Sequence, residues 1–296
     1  MALNREVFKT RALSAILFAV VMLAGTLLHP WSFFLLFSVI HFGCWIEFQR
    51  LITRIDPEYA DISAFHRYGV MVAGWCFMLN FTHNDFMLGN IALHEIGWWI
   101  GLLLCFLLPV TELLLAGHIR AKNLWYSALG LVYISLSLSL LVDIYSSEFP
   151  VPSAKNSSAT EFLSGFRLPL LIICCIWITD TMAYISGSLF GKTPLSSISP
   201  KKTWEGTIGG IVLAVVAVSL TMYYLLPGSM LLFWIGLALV VAISGTIGDL
   251  FESKLKRMAG VKDSGNLMPG HGGFLDRFDS LLIAIPMVWI FLKSTQ

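Results

Sequence analysis

Apolar runs of membrane-spanning length recur along almost the whole chain, and nothing else in the sequence limits the fold so strongly. A helix needs roughly 20 apolar residues to cross the hydrocarbon core of a bilayer, somewhat fewer when polar ends reach back to the interface. Nine stretches meet that description, at about 12–28, 31–48, 69–81, 95–115, 124–143, 168–187, 207–226, 230–248 and 280–293. The third and ninth are the shortest. With 57% hydrophobic residues among 296 and a mean hydropathy of +0.78, too few polar side chains remain to cover a water-soluble body. The first run resembles a signal peptide, but a second begins at Trp31, so it reads as an uncleaved spanning helix. The expected fold class is all-α, a polytopic membrane protein.

Charge distribution orients these runs. With the N-terminus placed in the cytoplasm, sixteen of the nineteen lysines and arginines fall in cytoplasmic segments, leaving Lys155, Arg167 and Lys293 outside. One miscounted helix would flip every later loop and spoil this positive-inside split. The expectation is therefore nine helices, N-terminus inside and C-terminus outside. A net charge of +1 carries no information about partners, and nothing points to nucleic acid. The five cysteines show neither zinc-site spacing nor a disulfide framework, and they read as apolar filling. A Ser- and Pro-containing external segment, 145–167, reads as a flexible connector. It separates residues 1–144, with five helices, from a chemistry-bearing region at 168–296.

Ten charged side chains crowd into Gly248–Ser280, although charged residues make up only 12% of the chain. A solvated loop is the plain alternative, but mixed acids and bases between glycines suit a polyanion held with a metal. Asp249 is expected to end the eighth helix. Asp276 and Asp279 begin the ninth at i, i+3 spacing, near one face. Facing carboxylates repel unless a proton or cation lies between them, which makes Asp249 and Asp276 a candidate Mg²⁺ pair. Lys256, Arg257, Lys262, His271 and Arg277 can neutralise phosphate, while Gly270, Gly272 and Gly273 allow close backbone approach. Interhelical salt bridges are the alternative reading of the same residues.

Two upstream segments add to this. Asp180 lies in a spanning run, where a carboxylate is costly and faces a polar cavity or a partner. The segment 191–206 contains a Gly-Lys-Thr resembling a P-loop, but the glycine such a loop requires is replaced by Ser186 and no strand precedes it. Ser199, Lys201, Lys202 and Thr203 instead gather two ammonium groups and two hydroxyls at a helix start, where the helix dipole also favours phosphate. Positive-inside anchoring is the competing reading for these lysines.

Taken together, Ser253, Lys256, Arg257, Lys262, Asp263, Pro269, His271, Gly272, Gly273, Asp276, Arg277 and Asp279 resemble the signature of the phosphatidate cytidylyltransferase family. Asp180-Thr181, Ala183-Tyr184, Gly191-Lys192 and 199–206, including Glu205, also fit. The resemblance covers roughly the C-terminal 120 residues. It implies condensation of CTP with phosphatidate to CDP-diacylglycerol and pyrophosphate. It also implies Mg²⁺ on Asp249 and Asp276, with a second cation as a further expectation, a homodimer, and a bacterial inner-membrane enzyme facing the cytoplasm. By the same resemblance, Asp249, Asp276, Lys256, Arg257 and Lys262 carry the catalysis. Asp180, Ser199, Lys201, Lys202, Thr203, Glu205, Ser253, Asp263, His271, Gly272, Gly273, Arg277 and Asp279 hold substrate. The alternatives weighed are another CTP-dependent lipid enzyme (a polyprenol or phytol kinase, or an archaeal-type lipid cytidylyltransferase) and an ion-coupled transporter. Charges gathered at one face, with no visible repeat, argue against the transporter.

Overall fold

A computed structural model describes residues 5–83, 86–115, 120–153, 161–265 and 272–296. Its helices are α1 (Arg5–Leu27), α2 (Pro30–Ile55), α3 (Ala64–Asn80), α4 (Leu93–Leu115), α5 (Ala121–Gly130), α6 (Ser137–Ser146), α7 (Arg167–Phe190), α8 (Trp204–Leu225), α9 (Leu231–Met258) and α10 (Leu275–Ser294). A π-helical turn, Leu131–Leu136, joins α5 to α6 in one continuous rod. The architecture is all-α and polytopic. Among the described residues, six helical segments are long and apolar enough to cross a membrane: α2, α4, the α5–α6 rod, α7, α8 and α9. Helix α3 has 17 residues, about 26 Å at the usual helical rise and short of a ~30 Å hydrocarbon core.

Several helices outrun their apolar stretches. Most consequentially, α9 continues to Met258, ten residues past the expected end. Asp249, Ser253, Lys256 and Arg257 are therefore helical residues, not loop residues. The segment GDLFESKLKRM stays amphipathic, and Glu252 precedes Lys256 by four residues, which supports continued helix. The connector after α6 is also more ordered than expected. Strands β3 (Phe149–Val151) and β4 (Glu161–Leu163) pair antiparallel, and residues 154–160 fall outside the described residues. A smaller hairpin, β1 (Met87–Leu88) with β2 (Ile91–Ala92), precedes α4.

The chain resolves into two compact units, with boundaries inside α6, α9 and α10. The first comprises Met1–Asp143 and Leu255–Phe278. Its centre is α2, whose Phe33, Phe37, Cys44, Trp45 and Phe48 are wholly buried. Pro30 sits at the first helical position, and His29 with Ser32 forms a reciprocal cap. The π-helical turn delivers Ser135 to α2, where its hydroxyl accepts from Trp45 Nε1 at 2.8 Å and meets His41 Nε2 at 2.9 Å. Gly74 leaves the space that Ser135 fills.

The second unit comprises Ile144–Lys254 and Asp279–Gln296. Here α7 and α8 pack along a seam of small residues. A Cβ at Gly206 would stand 2.7 Å from Gly187 Cα, and one at Gly210 would stand 2.6 Å from Ala183 Cβ. Gly206 and Gly210 have the four-residue spacing that lets membrane helices approach closely. Thr203 caps α8 by accepting from Gly206 N at 3.2 Å.

Gly210→Val should force α7 and α8 apart and lower stability by about 1–3 kcal/mol, read as a fall in the thermal midpoint in detergent. Gly101→Ala, where the new Cβ would meet Cys76 Cβ at an ordinary 3.5 Å, should leave the midpoint nearly unchanged.

Candidate active site

Within the second unit, a cavity of about 500 Å³ opens between α7, the 191–203 loop, the start of α8 and α9. Asp180, Ser199, Lys201, Lys202, Thr203 and Asp249 all line it, so six residues singled out from sequence meet in one place. Thr179, Tyr184, Thr207 and Thr246 add polar atoms that sequence reasoning did not select as site residues. The loop doubles back on itself. Trp204 N donates to Thr193 O at 2.9 Å and Leu195 N to Lys202 O at 2.8 Å, which carries Lys202 over the cavity. Glu205 anchors the loop by accepting from the backbone of Lys192 and Thr193, both at 3.1 Å. Its role here is to hold the loop.

Lys202 Nζ pairs with Asp249 Oδ2, while Ser253 Oγ approaches Asp249 Oδ1 at 3.3 Å. This pair keeps an ammonium and a carboxylate together in a half-buried place and leaves lone pairs on both carboxylate oxygens. Lys201 is exposed beside it. The cavity thus offers cations for phosphate and hard oxygen donors for a divalent ion.

The first unit holds the signature residues from Lys256 to Arg277. Asp276 Oδ1 accepts from Lys256 Nζ at 2.6 Å. Its Oδ2 accepts from Gly273 N at 2.8 Å and from Ser264 N at 2.9 Å, and Ser264 Oγ, also 2.9 Å away, shares its one proton between this oxygen and Glu47. Asp276 opens α10 ahead of the apolar 280–293 stretch. Burial disfavours its charge, but the Gly273 N–H, the Lys256 ammonium and the Ser264 N–H outweigh burial and hold its carboxyl at about 2. Gly272 adopts φ +79, and a Cβ there would press on this carboxylate.

Glu47 of α2 holds the backbone beside Asp276, and sequence reasoning did not select it. It is 5% exposed. Its oxygens accept from Ser264 Oγ at 2.7 Å, Phe274 N at 2.9 Å and Leu275 N at 2.8 Å. The space a Cβ would need at Gly265 and Gly273 is filled by the Glu47 carboxylate. The available signal was a lone acid inside an apolar run, which demands a partner.

The remaining residues separate by exposure. Arg257, Lys262, Asp263 and Arg277 are exposed, with Arg257 also donating to Val261 O at 3.0 Å. Asp279 is buried and accepts from Ser280 N at 2.6 Å. His271, with Pro269 and Gly270, lies outside the described residues. Among the described residues, no three His, Cys, Asp or Glu cluster as a self-sufficient metal site. A pair of carboxylates completed by water and substrate phosphate is nonetheless what Mg²⁺ prefers, and Asp249 keeps lone pairs for that use. Asp276 keeps a lone pair on Oδ1.

A profile described as "Cytidylyltransferase family" matches residues 9–295. The chain is 47% identical over 131 residues to "Phosphatidate cytidylyltransferase 4, chloroplastic" of Arabidopsis thaliana, covering 44% of this chain and 34% of that one. It is 44% identical over 138 residues to the "Phosphatidate cytidylyltransferase" of Synechocystis, 45% of each chain. The protein of that name from Staphylococcus aureus is 45% identical over 131 residues, 43% of this chain and 50% of its own. The matched region thus spans a third to a half of these relatives.

Glu47→Ala leaves the part-buried Phe274 and the buried Leu275 N–H groups without their acceptor, at about 1–3 kcal/mol for a buried one. Their amide hydrogen exchange should quicken, whereas Glu47→Gln, which retains one acceptor oxygen, should show a smaller change. For Asp276, the depressed folded-state value means its stabilising contribution is complete above the ordinary carboxylate range and lost as pH falls towards about 2. The stability gap between wild type and Asp276→Asn, measured by denaturant unfolding, should hold constant from about pH 5 to 8 and shrink below about pH 4.

Proposed function

We propose, from the premise that this chain belongs to the cytidylyltransferase family, that it condenses CTP with phosphatidate to give CDP-diacylglycerol and pyrophosphate. The observation that carries this reading is the cavity joining Lys201, Lys202, Ser199 and Thr203 to Asp180 and Asp249. The names of the relatives, all phosphatidate cytidylyltransferases, support the choice of lipid.

The chemistry asks little of a base. An oxygen of the lipid phosphate, already anionic, attacks the α-phosphorus of CTP, and the bond to the β-phosphate breaks to release pyrophosphate. The protein's task is to align the two phosphates and neutralise charge on the leaving group. Lys202 is held against Asp249, and an arriving phosphate can take over that ammonium. Lys201, exposed at the same cavity, adds a second cation. Thr203 and the start of α8 contribute a hydroxyl and free N–H groups. Lys256, Arg257, Lys262, His271 and Arg277 form the remaining cationic set, with Asp263, Asp279, Gly272 and Gly273 shaping the substrate loop. Asp249 and Asp276 are the proposed Mg²⁺ ligands, and a second cation belongs to the same reading. Bound there, Mg²⁺ would offset phosphate charge.

The wider setting is part of the proposal. Nine spans with the N-terminus inside would put 191–203 and 259–274 at the cytoplasmic face of a bacterial inner membrane, where CTP is available. The basic residues flanking both segments support that orientation. A homodimer completes the reading.

Purified protein given CTP labelled in the cytidine, phosphatidate and Mg²⁺ should yield a labelled lipid plus pyrophosphate. Label remaining in water while the lipid gains one phosphate would establish a kinase instead. Asp249→Asn and Asp276→Asn should each cut turnover by about 100-fold or more. Their helix content and dispersity should be retained, and normal Mg²⁺-dependent turnover by either would remove it as an essential ligand. Lys201→Ala with Lys202→Ala should raise the CTP requirement far more than the lipid requirement.

A further inference from the structure

A second cavity, of about 490 Å³, lies wholly within the first unit, away from every residue of the signature. Its walls are almost entirely aliphatic, including Val70, Leu108, Leu113 and Leu131, and three polar residues also line it: His66 of α3, Glu112 of α4 and Ser127 of α5. All three are buried. His66 Nε2 lies 2.8 Å from Ser127 Oγ, and His66 Nδ1 lies 3.4 Å from Glu112 Oε2. The acid and the hydroxyl thus engage opposite nitrogens of one imidazole.

The partners settle the proton positions. Ser63 Oγ donates to Glu112 Oε2 at 2.9 Å, as expected for an accepting carboxylate. His66 then carries its proton on Nδ1, facing Glu112, and leaves Nε2 free to accept from Ser127. A hydroxyl beside a base, with the base oriented by a third group, is the arrangement that activates a serine nucleophile. The 3.4 Å contact is longer than a formed hydrogen bond, as is common before substrate binds. Tyr59, also fully buried, brings its hydroxyl within 3.4 Å of Ser127 Oγ and can donate to a developing oxyanion.

Position selects the substrate. His66 is the third residue of α3, Glu112 lies three residues before the end of α4, and Ser127 is the seventh residue of α5. At the helical rise, Ser127 lies about 9 Å along its helix, near the beginning of the apolar 124–143 stretch. An apolar cavity there accepts an acyl chain and leaves the ester carbonyl at the hydroxyl.

We propose that Ser127, His66 and Glu112 form an acyl-transfer site for long-chain carboxylic esters, separate from nucleotide chemistry. Ser127 Oγ attacks the ester carbonyl while its proton passes to His66 Nε2. The C–O bond to the alcohol breaks, and His66 returns the proton to the departing alcohol. Water then attacks the acyl-serine with His66 again as base, and breaking the acyl–Oγ bond releases the carboxylic acid and restores Ser127. Glu112 stabilises the imidazolium formed in each step.

The test uses the full chain in detergent, treated with a long-chain alkyl fluorophosphonate and mapped by peptide mass spectrometry. A covalent adduct is expected at Ser127. His66→Ala should abolish it, and Glu112→Gln should slow it by about tenfold or more. The same wild-type preparation should release nitrophenol from a long-chain nitrophenyl ester. Folded wild-type protein that leaves Ser127 unmodified and the ester intact would overturn the proposal and reduce the three residues to a helix-joining network. Labelling at Ser127 with an unchanged rate in a folded His66→Ala variant would overturn the assigned activation.

Discussion

A carboxylate placed among apolar helices must find donors or it will not stay charged there. Much of the first unit follows from how Glu47 meets that requirement. Burial leaves it little access to water, and the chain supplies three donors, the hydroxyl of Ser264 and the N–H groups of Phe274 and Leu275. Once those are drawn in, Gly265 and Gly273 have no alternative side chain, because the acid occupies the space. Asp276 repeats the device one turn further on, with Lys256 added as a countercharge. Residues on both sides of one loop thus satisfy two acids.

The second unit solves a related problem by other means. Its polar cavity depends on α7 and α8 lying closer than ordinary side chains permit, which the Gly206 and Gly210 seam provides. Loop 191–203 is then tied down by Glu205 and delivers Lys202 against Asp249. Lys202 and Asp249 are thereby paired, and in the proposed reading an incoming phosphate or cation takes the place of one of them with little rearrangement.

Hydropathy made the all-helical membrane architecture legible, and charge density made the Gly248–Ser280 region legible. Both depend on properties that survive in a linear string. Helix lengths were less visible, because α9 continues as an amphipathic helix once its apolar run ends, and a hydropathy window stops where the greasy residues do. Asp180, Lys202 and Asp249 could be named but not grouped, since only tertiary packing puts α7, the 191–203 loop and α9 around one cavity. Glu47 shows the limit in the other direction. Its role is defined by partners far along the chain, and no local pattern announces them. The aliphatic cavity around His66 was invisible for the same reason, its three polar residues coming from three helices.

The Glu47 contacts span 217 to 228 residues of sequence. Synthesis proceeds from the N-terminus, so α2 is made long before the loop that satisfies its acid. Until that loop emerges, the nascent protein carries an unsatisfied carboxylate within a hydrophobic helix. This part of the first unit can therefore be completed only after the segment before α10 has been made.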